Sequence, residues 1–87
     1  MDPMEERDLL TELVRALVDV PHAVRVEESR REDESRMVIH VHPSDRGKVI
    51  GKRGSIVQAL RVLFGRMAAV EGRKIFIAVD EPDRRAA

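Results

Sequence analysis

The sequence predicts a two-layer α+β domain in which helices pack on one side of a three-stranded sheet. Two segments carry apolar residues at helical spacing, two alternate apolar with polar residues, and a short run near the end is continuously apolar. With a short helix between them, these elements read α-β-β-α-α-β in chain order. The length of 87 residues fits one domain, predicted over residues 2–80 with a disordered tail at 81–87.

The first element is an amphipathic helix, predicted from Asp2 to Asp19. Asp2 is the expected N-cap, Pro3 takes the first helical position, and Pro21 stops the helix. The face expected to be buried has i, i+3, i+4, i+7 and i+8 spacing and consists of Leu10, Leu13, Val14, Leu17 and Val18.

Two strands follow the first helix. The segment HAVRVEES alternates Val24 and Val26 with charged residues, which is typical of a strand with one face in water. The segment SRMVIHVH alternates in the same way, with Met37, Ile39 and Val41 on one face. Because only the charged connector RREDE separates the two strands, we expect an antiparallel hairpin.

A short helix is predicted over residues 44–50, where Ser44 and Asp45 offer caps. The glycine-containing turn at residues 51–54 breaks this helix, and Ser55 is expected to cap a second, longer one. The longer helix should bury a stripe that consists of Ile56, Leu60, Leu63, Phe64, Met67 and Ala68.

The last strand is predicted in the segment RKIFIAVD, after Glu71 and Gly72 close the long helix. Its apolar residues are continuous rather than alternating, and this pattern indicates a strand buried on both faces.

Charge is divided unevenly along a chain whose formal net charge is zero. Residues 1–35 carry five basic and eleven acidic side chains, a net charge of −6, whereas residues 36–79 carry nine basic and two acidic ones, a net charge of +7. Such a division indicates an anionic partner for the basic half or, equally well, two solvated faces of opposite sign.

The composition narrows the possible functions. The chain has no Cys, which excludes disulfides, thiolate catalysis and cysteine metal sites and fits a reducing compartment. No apolar run approaches the ~20 residues that span a membrane, and the acidic start is unlike a signal peptide, so we expect a cytoplasmic protein. Phe64 and Phe76 are the only aromatic residues, so a ligand that depends on aromatic stacking is poorly served.

Neither catalysis nor a metal or other cofactor is expected. His40 and His42 lie on one face of a predicted strand, but no Cys or carboxylate stands beside them at ligand spacing. A solvated strand face is therefore the better interpretation of these histidines. The sequence also lacks a convincing pair of a nucleophile and a base.

The stretch GKVIGKRGS, residues 47–55, holds three of the five glycines and three basic residues. A nucleotide-binding P-loop needs four residues before its Gly-Lys pair, whereas this stretch has three, and Arg53 stands where a Mg²⁺-binding hydroxyl is required. The dinucleotide fingerprint fails because its first glycine would fall at Val49. A tight turn between helices explains Gly51 or Gly54 singly, but not the two basic residues between them.

The remaining interpretation is a phosphate clamp for single-stranded nucleic acid. Gly51 and Gly54 lack Cβ atoms and let a sugar-phosphate chain approach the backbone, while Lys52 and Arg53 place cations beside it. Amides in the first turn of the long helix, from Ser55 onward, face an anion with the positive end of the helix dipole. The groove for unstacked bases is expected to be lined by Val49, Ile50 and either Ile39 or Val41.

The motif VIGKRG between two helices, in the order α-β-β-α-α-β, resembles the KH domain in its type II arrangement. The wider stretch VHPSDRGKVIGKRGSIVQALRVLF…AAVEGRKIFI is similar to the KhpA family of small bacterial RNA-binding proteins, and the resemblance covers about Met4 to Val79. It implies that residues 51–54 form the GXXG loop that holds an RNA backbone and that Ile50 is the aliphatic residue leading into it.

The resemblance also implies a cytoplasmic protein that pairs with itself or with a larger RNA-binding partner of the KhpB (Jag) type. We therefore predict a non-enzymatic RNA chaperone or post-transcriptional regulator that acts as a dimer, with Lys48 assisting the clamp. The alternative is a KH fold that serves as a protein-docking module, in which RNA binding is incidental. The role of the connector SRREDESR, residues 29–36, stays open.

Overall fold

The computed structural model describes residues 5–81 and confirms both the α+β class and the element order. The expected cap at Asp2, the proline at position 3 and all of the predicted tail except Glu81 lie outside the described residues. The helices and strands are α1 (Glu6–Leu17), β1 (Arg25–Arg31), β2 (Glu34–His40), α2 (Arg46–Ile50), α3 (Ser55–Ala69) and β3 (Lys74–Val79).

The three strands form one mixed sheet in the order β1-β2-β3. β1 and β2 are antiparallel, as predicted, with Arg31 opposite Glu34 at the turn. β2 and β3 run parallel, which places β2 at the centre and leaves β3 at an edge. The loop of the hairpin is shorter than predicted, because β1 continues to Arg31 and only Glu32 and Asp33 lie between the strands.

The prediction that the last strand is buried on both faces is wrong. Along β3 only Ile77 is buried, whereas Phe76 is 48% exposed. The apolar residues of β3 are divided between its two faces. Ile75 and Val79 pack against the core on the same face as Ile77, whereas Phe76 and Ala78 are exposed on the other. A continuous apolar run therefore arises here from a strand with one covered face and one open face.

The helices pack on the covered face of the sheet around a single core. In α1, Leu10 and Val14 are fully buried as predicted, while Leu17 is 38% exposed. The buried residues of the core cluster are Leu10, Val14, Val24, Val26, Met37, Ile39, Val49, Val57, Leu60, Phe64 and Ile77.

The buried face of α3 differs from the predicted stripe. Val57 is buried instead of Leu63, which is 48% exposed. Leu60, Phe64 and Ala68 are buried as expected. Adjacent residues of a helix lie about 100° apart, so Leu63 points away from the sheet once its neighbour Phe64 points into the core.

A buried carboxylate connects α2 to the segment that leaves α1. The side chain of Asp45 has no exposed surface, and its Oδ1 and Oδ2 accept hydrogen bonds from the amides of Asp19 (3.2 Å) and Val20 (3.0 Å). The expected capping of α2 by this side chain is absent. Asp45 instead accepts hydrogen bonds from two backbone amides that lie just beyond the C-terminal end of α1. These hydrogen bonds connect α2 to α1.

The carboxyl group of Asp45 has a lowered pKa. Burial acts to raise this pKa, but the amide hydrogen bonds from Asp19 and Val20, together with the Lys48 ammonium, outweigh it and keep the pKa below the ordinary value of 3.8. The folded state thus favours the charged form. The resulting stabilisation is complete at neutral pH and is lost as the pH falls through the lowered pKa.

We predict that Asp45→Asn lowers the urea midpoint of unfolding at pH 7, because the uncharged amide binds Asp19, Val20 and Lys48 more weakly. The difference from the unchanged chain should narrow as the pH falls below 3.8, where Asp45 is protonated in the unfolded chain, and then through the lowered pKa, where it is protonated in the folded protein as well. Urea titrations between pH 7 and pH 2.5 measure this. Asp33→Asn in the exposed hairpin turn is the matched control, and a pH-independent gap for Asp45→Asn contradicts the assignment.

Candidate nucleic-acid interface

Residues 51–54 connect α2 to α3 in one tight turn. Three of the four residues have positive φ: Gly51 at 78°, Arg53 at 59° and Gly54 at 77°. The amide of Gly54 donates to the carbonyl of Gly51 (3.1 Å), which closes the turn on itself. The side chains of Lys52 and Arg53 are both exposed at this turn.

The two glycines of the turn are required for different reasons. At Gly51 a Cβ atom would lie 2.6 Å from Cγ1 and 2.8 Å from the amide nitrogen of Ile56. Its missing side chain therefore makes room for α3 rather than for a ligand. At Gly54 a Cβ atom would meet nothing within 4 Å, so that position is open to an approaching molecule.

Lys52 and Arg53 are available to an anion. Neither forms an ion pair with any carboxylate among residues 5–81. Lys48 differs, since its Nζ lies 3.0 Å from Oδ2 of Asp19 and 3.6 Å from Oδ1 of Asp45. The hydrogen bond to Asp19 is the main reason that the pKa of Lys48 is raised. Lys48 is thus held toward α1, while the two loop cations are not.

The start of α3 differs in detail from the prediction. Gly54, in a left-handed conformation, is the N-cap, and Ser55 is the first helical residue instead of the cap. The amide of Ser55 donates to the carbonyl of Lys52, so this amide is already used within the turn. The exposed hydroxyl of Ser55 stands next to the open position at Gly54.

Only part of the predicted apolar groove lies at the surface. Val49 and Ile39 have no exposed surface and belong to the core, so the expectation that they contact bases does not fit their burial. Ile50 and Val41 are half-buried and keep some surface. On α2, Val49 is the buried residue and belongs to the core cluster.

Arg61 has a structural role that the sequence did not indicate. Its Nε donates to the carbonyl of Ile77 (3.0 Å), which joins α3 to β3. The amide of Lys74, the first residue of β3, donates to the carbonyl of Asp33, and the amide of Asp80, just after β3, donates to the carbonyl of Ile39 on β2. Because backbone groups of a strand alternate in direction, Ile77 presents its carbonyl at the outer edge of the sheet. No sequence signal marks this bond, because it depends on how α3 lies beside β3.

The histidines have separate partners. His40 lies between two carboxylates, with Nε2 2.6 Å from Oε1 of Glu27 and Nδ1 3.0 Å from Oδ2 of Asp80. His42 instead contacts Ser44 through Nδ1. Within residues 5–81 there is no cluster of three or more His, Cys, Asp or Glu side chains suited to a metal ion. In the same range, no helix combines the length and apolar character needed to cross a membrane.

Comparison of the sequence with known proteins shows the family of the chain. The family model described as "KhpA/KhpB, KH domain" matches residues 7–79. The chain belongs to the KhpA/KhpB KH-domain family. The residues of the turn at 51–54, GKRG, fit the GXXG pattern, and the turn lies between two helices.

Among the similar proteins are three that are each named RNA-binding protein KhpA. The protein from Mycobacterium bovis is 40% identical over 77 residues, covering 88% of this chain and 92% of its own length. The protein from Caldanaerobacter subterraneus subsp. tengcongensis is 38% identical over 72 residues, covering 83% and 96%. The protein from Clostridium acetobutylicum is 34% identical over 73 residues, covering 84% and 97%.

We predict that the two glycines of this KhpA/KhpB-family loop differ in their effect on stability. Gly51→Ala should cost about 2–4 kcal/mol, because it combines a nearly glycine-only conformation with a clash against Ile56. Gly54→Ala should cost about 1 kcal/mol, the strain of a left-handed residue alone, and Gly54→Asn less. Urea unfolding measures all three variants. Equal losses at the two positions contradict the packing role of Gly51.

Proposed function

We propose that this chain binds single-stranded RNA without catalysing a reaction, through the turn at residues 51–54. One observation carries the proposal: Lys52 and Arg53 stand exposed, and unpaired among residues 5–81, on a turn that is open at Gly54. Membership of the KhpA/KhpB family supports it, as does the similarity to three proteins named as RNA-binding.

In this proposal the RNA backbone lies across the turn, and about four nucleotides are held. Lys52 and Arg53 bind phosphates, and the Ser55 hydroxyl donates to a phosphate oxygen beside the open position at Gly54. Ile50 offers apolar surface to a base, while Val49 supports it from the core. Lys48 assists only after it leaves Asp19, so we assign it a secondary role.

We further propose that the protein acts in the cytoplasm as an RNA chaperone or a post-transcriptional regulator. A site built mainly on phosphate contacts holds RNA with little dependence on sequence, because phosphates carry no base information. Modest selectivity of this kind suits a protein that acts on many transcripts.

The double variant Lys52→Asp/Arg53→Asp should lose at least about tenfold in affinity for a random-sequence pool of 12-nucleotide single-stranded RNA, since two charge-assisted phosphate contacts disappear. The slope of log K against log salt should fall by about 1.4 for two phosphates. Fluorescence anisotropy at several salt concentrations measures both quantities. Asp suits the left-handed backbone at Arg53, so the turn should persist.

The matched control is Arg7→Asp/Arg15→Asp on α1, which changes the net charge equally but away from the turn. This control should retain most of the affinity. If both double variants bind alike, the clamp is wrong and only general charge matters. If the unchanged chain shows no salt-dependent RNA binding at all, the docking-module alternative is favoured.

One observation favours protein docking as an accompanying function. The outer side of α3 carries exposed apolar residues: Val62 at 57% and Leu63 at 48% exposure, with Val70 at 88% just beyond the helix. Ala59, Leu63 and Val70 recur at spacings of four and seven, so they share one side of the helix axis. We propose that this stripe pairs with a second copy of the chain or with a larger KhpB (Jag)-type partner.

The variant Leu63→Asp should raise the dissociation constant of a homodimer at least about tenfold, because a charge replaces an apolar side chain at the centre of the stripe. Sedimentation equilibrium measures the dimer directly. Ala16→Asp, on the exposed side of α1, is the control and should leave the dimer unchanged. The heterodimer is indicated if the chain alone stays monomeric but co-sediments with a KhpB-type partner, and if Leu63→Asp abolishes this co-sedimentation. Association that is unaffected by Leu63→Asp contradicts the stripe.

A further inference from the structure

The sheet has a second face, which no helix among residues 5–81 covers. Near the hairpin turn this face carries two rows of side chains that run across the three strands. One row is Ser29–Arg36–Phe76 and the other is Arg31–Glu34–Lys74. We call these six residues the open-face patch.

The centre of the open-face patch is an aromatic ring with a guanidinium over it. Phe76 is 48% exposed, although Phe64, the other aromatic residue, is fully buried. The Cζ atom of Arg36 lies 5.5 Å from the centre of the Phe76 ring. Both groups are planar, and both are surfaces on which nucleic-acid bases stack.

A concavity adjoins this pair. Its volume is about 290 Å³, and it is lined by Ser29, Arg31, Glu34 and Arg36. This volume is close to the lower end of the range for small-molecule sites, about 300 Å³, and is large enough for a single flat ring. The concavity therefore offers a place for one base beside the Arg36 guanidinium.

The charge of the open-face patch suits an anion. Arg31, Arg36 and Lys74 oppose a single carboxylate, Glu34. None of the three cations forms an ion pair with a carboxylate among residues 5–81. The other end of the same face is balanced instead, because Arg25 pairs with Glu27 at 2.7 Å. The excess of positive charge thus coincides with the exposed aromatic ring.

We propose that the open-face patch is a second contact for single-stranded RNA. A base stacks on Phe76 and Arg36, and Arg31 and Lys74 bind the flanking phosphates. Glu34 accepts a hydrogen bond from a base amino group, as a carboxylate does with the amino group of cytosine. The same carboxylate repels an acidic peptide. The presence of Glu34 beside two planar stacking groups is the reason that we favour RNA over an acidic protein segment.

This inference rests on the proposed RNA clamp and extends it. The clamp lies on the side of the helices, and β3 is the edge strand around which a longer strand of RNA reaches the other face. Arg61, bound to the carbonyl of Ile77, shows that α3 runs beside that edge. Two linked contacts on one strand raise the affinity for long RNA without improving the affinity for a fragment that fills one contact.

The experiment uses the two phenylalanines as separate reporters. In an aromatic ¹H–¹³C NMR spectrum, the Phe76 ring signals are assigned by their loss in Phe76→Leu. Addition of the random-sequence 12-nucleotide RNA pool should shift the Phe76 signals and leave those of Phe64, buried in the core, in place. Poly-glutamate, added at the same concentration of negative charges as the RNA, tests whether an acidic polypeptide produces the same shifts.

Affinity measurements complete the test. Phe76→Leu/Arg36→Gln should lose at least about fivefold in affinity for the 12-nucleotide pool, the effect of one stacked base. Its affinity for a 4-nucleotide pool, which fills the clamp alone, should be unchanged. Arg25→Gln, on the same face but in the balanced region, should leave both affinities unchanged, and unaltered Phe64 signals verify the fold of each variant.

Each outcome decides between the two proposals. If RNA binding depends on Lys52 and Arg53 while the Phe76 signals and the 12-nucleotide affinity do not respond as stated, the clamp stands and the open-face contact is wrong. If poly-glutamate shifts Phe76 and RNA does not, the patch binds acidic protein segments instead. If neither RNA pool binds, both proposals are wrong. The second contact is supported if RNA shifts the Phe76 signals of the unchanged chain and if Phe76→Leu/Arg36→Gln weakens binding of the 12-nucleotide pool but not of the 4-nucleotide pool.

Discussion

The candidate interface depends on the close approach of α2 and α3 at Gly51. Any side chain at this position would collide with Ile56, at 2.6 Å from its Cγ1 atom, so only glycine permits so tight a turn. The tight turn makes Lys52 and Arg53 the outermost residues between the two helices. It also starts α3 in the orientation that buries Phe64. The same contact that packs the helices therefore exposes the cations, and the motif glycine at position 51 is explained by the fold even without a ligand.

A second constraint fixes where the positive charge lies. Asp45 binds the amides of Asp19 and Val20 and, with the Asp19 carboxylate, draws Lys48 toward α1. Lys48 has the same charge as Lys52 and lies four residues away, yet the two differ in availability because only one has carboxylates beside it. Charge type and spacing in the sequence therefore do not determine which cations can meet an anion. The local network of buried and exposed carboxylates determines it.

The elements themselves could be predicted because their signals are local. Alternation around Val26 and Met37, and the two helices on either side of residues 51–54, follow from periodicity and turn chemistry. The errors arose where apolar residues are too frequent to define one face. In α3, Leu63 and Phe64 are equally apolar neighbours, and only packing against the sheet decides which is buried. In β3 a continuous apolar run fits burial on two faces or on one, and only the presence or absence of a second layer on the other face of the sheet distinguishes them. The place of Val49 in the core, beneath the expected groove, likewise depends on tertiary packing.

The formal net charge of zero does not oppose an anionic partner once the charges are placed. Part of the acidic half is balanced within the fold, for example Glu6, whose Oε1 lies 2.6 Å from an Nη atom of Arg73. The cations at the turn and at the open-face patch are not balanced in this way among residues 5–81. Charges farther apart than about 8 Å are largely screened at physiological ionic strength, so an approaching phosphate responds to nearby groups rather than to the total. The uneven division of charge along the sequence therefore allows an anionic partner, and the pairing of individual side chains determines where such a partner can approach.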